Sequence, residues 1–193
     1  MELAQLIRER RSVHRFEPRE VPVELVLELL DTAVWVPNYH MTQPWRFLIS
    51  HGEGKRHMAE AVRYMKEARE PDPEKRQATG QRFYDKIMAI PMIITVIMQE
   101  DTNLIVREED YASTVCVIHN FSLLAWERGI GLIWETYPWL LEKHFRDTMG
   151  IRPGEKVLGN LHVGYSAQIP NAQPRIPAIE RVTIFDEAPR TLT

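Results

Sequence analysis

Cysteine is nearly missing from this chain of 193 residues, in which Cys116 is the one copy. A lone cysteine closes no internal disulfide, and it stands in an apolar run, so the expected compartment is the reducing cytoplasm. At this length a folded chain buries roughly 70% of the surface its unfolded form exposes, so a core can form without cross-links. Long hydrophobic runs are missing too. No apolar stretch reaches the ~20 residues that span a bilayer. The opening Met-Glu-Leu-Ala-Gln-Leu-Ile-Arg lacks the apolar centre of a signal peptide, and no membrane partner is expected. Nor is one charge in excess: 24 Lys and Arg against 27 Asp and Glu leave a formal charge of -3, which gives no reason to expect a nucleic-acid partner. No Gly-x-Ser-x-Gly elbow or Walker sequence occurs. Gly129-x-Gly131 falls after a helix and before a strand, the wrong context for a dinucleotide fingerprint. His51 and His57 flank a glycine-containing turn without a third ligand nearby, so no zinc site is expected.

What is present reads as one domain over residues 1–193. Leu3, Leu6 and Ile7 fall at helical spacing ahead of Arg8, Arg10 and Arg11, a short helix with a basic end. Pro22 suits the first turn of a second helix, with Leu25, Leu29, Leu30 and Ala33 as its apolar stripe and Pro37 as its end. Arg46–Ser50 reads as a strand. Lys55–Lys86 has a charged helical pattern broken by Glu70-Pro-Asp-Pro73, which predicts two helices and a joint. Pro91–Met98 reads as a strand buried on both faces. Glu108, Glu109 and Asp110 are expected at the start of a helix, where the dipole favours acids. From Val115 to Trp126 that helix is apolar nearly all round, so it needs cover on more than one side, from its own core or from a second copy of the chain. Gly129 stops it. Ile130–Trp134 predicts a strand, Pro138–Met149 a helix stopped at Gly150, and Lys156–Tyr165 a strand. The proline-rich 169–177 stretch reads as irregular, and Arg181–Phe185 as a last short strand. The order predicts an α+β protein with helices around one small sheet.

Two segments carry chemistry. Arg10-Arg11-Ser12-Val13-His14-Arg15 leaves a helix end with several donors, and arginine binds phosphate through a planar fork. A solvated basic helix end would read the same way. Pro37-Asn-Tyr-His-Met-Thr-Gln-Pro-Trp45 is a loop fixed by prolines and crowded with amide, hydroxyl and imidazole groups. Gln43 both donates and accepts, as the pyrimidine edge of a flavin requires. An ordinary loop over a buried Trp45 is the alternative. His119 reads as a core histidine, and His162 as a strand residue with a local partner.

Arg10-Arg-Ser12 followed by Pro37–Phe47 resembles the nitroreductase-like FMN-dependent oxidoreductases. Gly129–Thr136, Leu161–Ala167 and Pro174-Arg-Ile-Pro177 fit the same pattern in the same order. The resemblance spans nearly the whole chain and is to the compact branch of that family. It implies a small, mainly antiparallel central sheet, an extended C-terminal arm over 170–193, and a homodimer with FMN at the subunit interface. By the same likeness Arg10, Arg11 and Ser12 hold the phosphate and ribityl chain, and Arg175 reaches the phosphate. Tyr39 and Gln43 meet the flavin of the partner subunit. Ile133, Trp134 and Glu135 pass along the ring, and Lys86 stands near the flavin or the nicotinamide. Met41 stands where many members have asparagine, and Glu135 where compact members often have arginine. The implied activity passes hydride from NAD(P)H through FMN to nitroaromatic, quinone or similar acceptors, with no catalytic side chain required and residues 63–83 as a lid. Two rivals are a flavoenzyme that reduces or dehalogenates one metabolite, and a flavin-binding module without turnover.

Overall fold

The computed structural model describes residues 2–184. A four-stranded sheet carries the fold, in the order β1-β2-β4-β3: β1 Trp45–His51, β2 Met92–Gln99, β3 Ile130–Glu135 and β4 Glu155–Tyr165. Every pairing is antiparallel. Among the described residues six α-helices surround it: α1 Leu3–Glu9, α2 Val23–Ala33, α3 Arg56–Arg69, α4 Arg76–Met88, α5 Leu104–Glu127 and α6 Lys143–Thr148. None of the described helices is long and apolar enough to cross a membrane.

The continuous apolar run of β2 is explained by its place between β1 and β4, with helices on both faces. Side chains alternate along a strand. Met92, Ile94, Val96 and Met98 join the cluster under α2 and α5, while Ile93 and Ile97 join the one under α3, α4 and α6. Thr95 points to the second side and donates its hydroxyl to Asn160 Oδ1 at 2.8 Å, so this buried pair costs little. A bulge between Val96 and Ile97 falls opposite Gly159.

Several boundaries differ from the sequence reading. α2 ends at Ala33, short of Pro37, and Pro22 caps it from outside. α5 starts at Leu104, capped by Asn103, whose side chain accepts from Ile105 N–H at 3.0 Å. The acids at 108–110 therefore lie in its second turn, and Asp110 is buried. Pro138–Met149 is two pieces, a 3-10 turn over Pro138–Leu141 and then α6, because Glu142 takes an extended conformation between them. Ala178–Arg181 is a 3-10 turn and 182–184 pair with no strand, so the expected strand is absent where it can be seen; Phe185 lies outside the described residues. Val182 and Ile184 have no described strand beside them and stand exposed, so alternating apolar residues alone did not make a strand there.

Candidate functional site

The chain leaves α1 in an extended conformation at Arg10. It then runs beside β3, where Val13 N–H donates to Leu132 O at 3.0 Å and Ser12 bridges Leu132 in parallel. Val13 is fully buried and fixes this crossing. It lies against Gly131, where any side chain would collide with Val13 and Ser166. The segment thereby holds Arg10, Arg11 and Ser12 at the sheet edge. The C-terminal stretch returns past them, with Arg175 Nη1 donating to Gln173 O at 3.0 Å. Arg8, Arg10, Arg11, Ser12 and Arg175 line a cavity of about 620 Å³. Burial, then the charges of Arg11 and Arg175, hold the Arg10 pKa below its ordinary value. None of Arg10, Arg11 and Arg175 forms an ion pair with a described residue. Like charges gathered without acids favour an anion, and guanidinium forks suit phosphate.

A second cavity of about 400 Å³ shares Arg10 and Ser12 with the first. Its walls are Leu132 and Trp134 from β3 and Val115, Cys116 and His119 from α5. Trp134 is fixed by its indole N–H, which donates to Leu158 O at 3.0 Å, and it lies over Gly159, where a side chain would collide with it. A cationic cavity thus opens onto an apolar one, a combination that suits a phosphate ester with a flat ring. His119 and Cys116 are exposed on α5, which corrects the reading of His119 as a core residue.

Alternation sends Ile133 and Glu135 to the opposite face of β3, beside His162 on β4. There the Tyr137 hydroxyl is pushed up to about 12 by burial, then by the charge and hydrogen bond of Glu135. Lys86 Nζ lies 5.7 Å from the Tyr137 ring centroid. His162 is a strand residue, as expected, and is 5% exposed, but its Nε2 has no hydrogen-bond partner among the described residues. Burial, then Lys86 and His14, push its pKa down to about 4.

The 37–45 loop stands apart. His40, Met41 and Gln43 have φ values of 54°, 52° and 45°, a conformation that costs non-glycine residues roughly 1–3 kcal/mol each. Asn38 Oδ1 accepts from Gln43 N–H at 2.7 Å, Asn38 Nδ2 donates to Thr42 Oγ1 at 3.0 Å, and the Thr42 hydroxyl donates to Asp110. Tyr39 and Met41 point outward, and neither Tyr39 nor Gln43 lines the arginine cavity.

The Nitroreductase family model matches residues 7–165, which takes in the arginine segment, the strained loop and all four strands. This chain belongs to the nitroreductase family. A Bacillus subtilis (strain 168) protein provisionally named NAD(P)H nitroreductase YfhC is 32% identical over 94% of this chain and 93% of its own length. The crystal structure of a nitroreductase-like family protein from Bacillus cereus superposes with a TM-score of 0.87 at 35% identity, covering 97% of both chains. The FMN- and NADPH-dependent nitroreductase NfnB from Sphigopyxis sp. strain HMH shares the fold at a TM-score of 0.74 and 16% identity, over 97% of this chain and 100% of its own.

Within this nitroreductase fold the expected site residues fall into three groups. Arg10, Arg11, Ser12 and Arg175 share one cavity, with Trp134 in the next. Ile133, Glu135 and Lys86 sit on the far side of β3, near Tyr137 and His162. Tyr39 and Gln43 are brought to neither group by a single chain. His14, His162, Thr42 and Asp110 were missing from the expected set. Asp110 carried a signal, an acid heading an apolar helix, but the dipole explained it equally well.

Proposed function

We propose that this chain is an FMN-dependent oxidoreductase that takes hydride from NAD(P)H and passes it to a nitroaromatic, quinone or similar small acceptor. The observation that carries the reading is the convergence of Arg10, Arg11 and Arg175, unpaired by any described acid, on a cavity that opens beside Trp134. Arg10, Arg11, Ser12 and Arg175 hold the phosphate, Trp134 walls the ring's cavity, and Ile133 and Glu135, whose side chains face the other side of β3, pass along the ring with their backbone. Lys86 supplies a positive charge near the ring or the nicotinamide. When bound, FMN supplies the two-electron chemistry, and the protein supplies binding and orientation.

The working unit in this reading is a homodimer. The α5 positions Ala112, Cys116 and His119 repeat at helical spacing and are all exposed, so the apolar helix lacks cover along one stripe. Trp35 is 86% exposed beside the strained loop, where Tyr39 and Met41 also face outward. A second copy covers these residues and receives Tyr39 and Gln43 at its flavin.

The absorbance spectrum of protein soaked in FMN and desalted, before and after anaerobic NADH or NADPH, tests this. Retained flavin bands that bleach with either nicotinamide are expected. Bands that persist with both would remove the oxidoreductase half of the reading, and a colourless protein would remove the cofactor.

The α3–α4 hairpin is the lid over the acceptor, within residues 63–83. Met65 is buried, so the part free to vary is the 70–75 joint rather than the whole stretch. Replacing that joint with a short linker should change acceptor preference more than flavin retention. Lost flavin with the preference unchanged would exclude a lid there.

A further inference from the structure

We infer that Asp110 is a positioning residue, whose buried carboxylate locks the 38–43 loop in the conformation that presents Tyr39 and Gln43 to the flavin of a second copy. The inference rests on the preceding reading of that loop. Asp110 lies in the second turn of α5 and is 3% exposed. A buried carboxylate must find donors. The described donor is the Thr42 hydroxyl, at the end of the loop. Ser113, three residues on and therefore on the same helix face, accepts from Asn38 Nδ2 at 3.4 Å and donates its own hydroxyl to Glu109 O at 2.9 Å. The loop thus stands on α5 by two feet, Asp110 beneath Thr42 and Ser113 beneath Asn38.

Asn38 joins the feet to the strained backbone. Its side-chain carbonyl accepts from Gln43 N–H at 2.7 Å, and its amide donates to Thr42 Oγ1 at 3.0 Å. His40, Met41 and Gln43 lie between or next to these anchors, and all three have positive φ. Non-glycine residues stay in that region only where the surroundings over-determine them. Asp110 and Ser113 are both buried, and Asp110 is the acid of the set, the acceptor for the Thr42 hydroxyl. The aromatic ring of Tyr39 and the amide of Gln43 are therefore aimed by an acid they do not touch.

The test uses Thr42→Val, Asp110→Ala and Asp110→Asn in the full chain, with three readouts. These are hydrogen–deuterium exchange of the 36–45 peptide without FMN, FMN affinity by quenching of flavin fluorescence, and the thermal midpoint. Thr42→Val and Asp110→Ala should speed exchange in 36–45 and weaken FMN binding about tenfold, the loss of one charge-assisted hydrogen bond. Asp110→Asn keeps an acceptor for the Thr42 hydroxyl and should restore most of both. Thr42 is exposed, so its variant reports even where Asp110→Ala fails to fold. Unchanged exchange in Thr42→Val would overturn the clamp. Faster exchange with unchanged FMN affinity would reduce it to a structural tie and overturn the positioning role. A parent protein that binds no FMN would sink the cofactor reading, while the exchange data would still decide the clamp.

Discussion

Arg10→Ala is expected to weaken FMN binding by about tenfold to a hundredfold while leaving the FMN-free protein as stable as the parent, or slightly more so. The two halves have one cause. A charge-assisted hydrogen bond contributes roughly 1.5–3 kcal/mol, which sets the range in affinity. In the absence of an anion, Arg10 is partly desolvated and faces Arg11 and Arg175, both of which disfavour its charge. It forms no ion pair with a described residue, so its removal breaks no described charge pair and relieves repulsion. A residue that held the fold together would show the opposite pattern, with a lowered thermal midpoint and a proportionate loss of binding. Arg10→Lys separates charge from shape: it keeps the positive charge and loses the planar fork, so it should fall between parent and alanine. Isothermal titration with FMN, alongside thermal denaturation of the FMN-free variants, reads both quantities. Unchanged affinity in Arg10→Ala would withdraw the phosphate assignment from this cavity.

The legible parts of the molecule were those where one local signal had one structural explanation. β2 is apolar without alternation because helices lie on both of its faces, and that is what the run of Met92–Met98 said. Gly129 and Gly150 stop their elements with φ values of 74° and 63°, which glycine tolerates best. Where two causes share a signal, the sequence was ambiguous. Glu108, Glu109 and Asp110 look like dipole acids, yet α5 begins a turn earlier and Asp110 turns inward to Thr42, a partner 68 residues away. The 182–184 stretch has alternating character, but strand formation needs an edge to pair with, and no described strand lies beside it. The cofactor site was legible as residue types and order. Its geometry was not, because Arg10 and Arg175 meet only after the C-terminal stretch folds back, a contact that no spacing rule encodes. His162 illustrates the same limit. On a strand pattern it is one more alternating residue, and only burial beside Lys86 and His14 makes it unusual.

His162 should make the protein lose about 3 kcal/mol of stability as the pH falls from about 6.5 to about 4, at roughly 1.4 kcal/mol per pKa unit. The sign follows from which state binds the proton. In the unfolded chain the imidazole titrates near its ordinary 6.5, and in the fold it is pushed down to about 4. Between those values the unfolded chain takes up a proton that the folded chain refuses, so acid favours unfolding. Above the upper value both states are neutral and the contribution is complete. Below the lower one both are charged and the loss has run its course. Burial is the first cause and the charges of Lys86 and His14 come after it. His162→Leu should therefore flatten the stability curve across this window, whereas Lys86→Met should flatten it only in part. Carboxylates that titrate in the same range act on parent and variant alike and cancel in the difference. Urea denaturation of the FMN-free protein at a series of pH values measures that difference. An imidazole proton resonance followed by NMR gives the midpoint directly. A midpoint near 6.5 would mean that the Nε2 nitrogen, left without a partner among the described residues, is reached by water that can stabilise the charged ring. A midpoint near 4 would mean a dry, neutral imidazole beside Lys86. It would then carry no positive charge of its own toward an anion at that face of β3, leaving Lys86 to supply it.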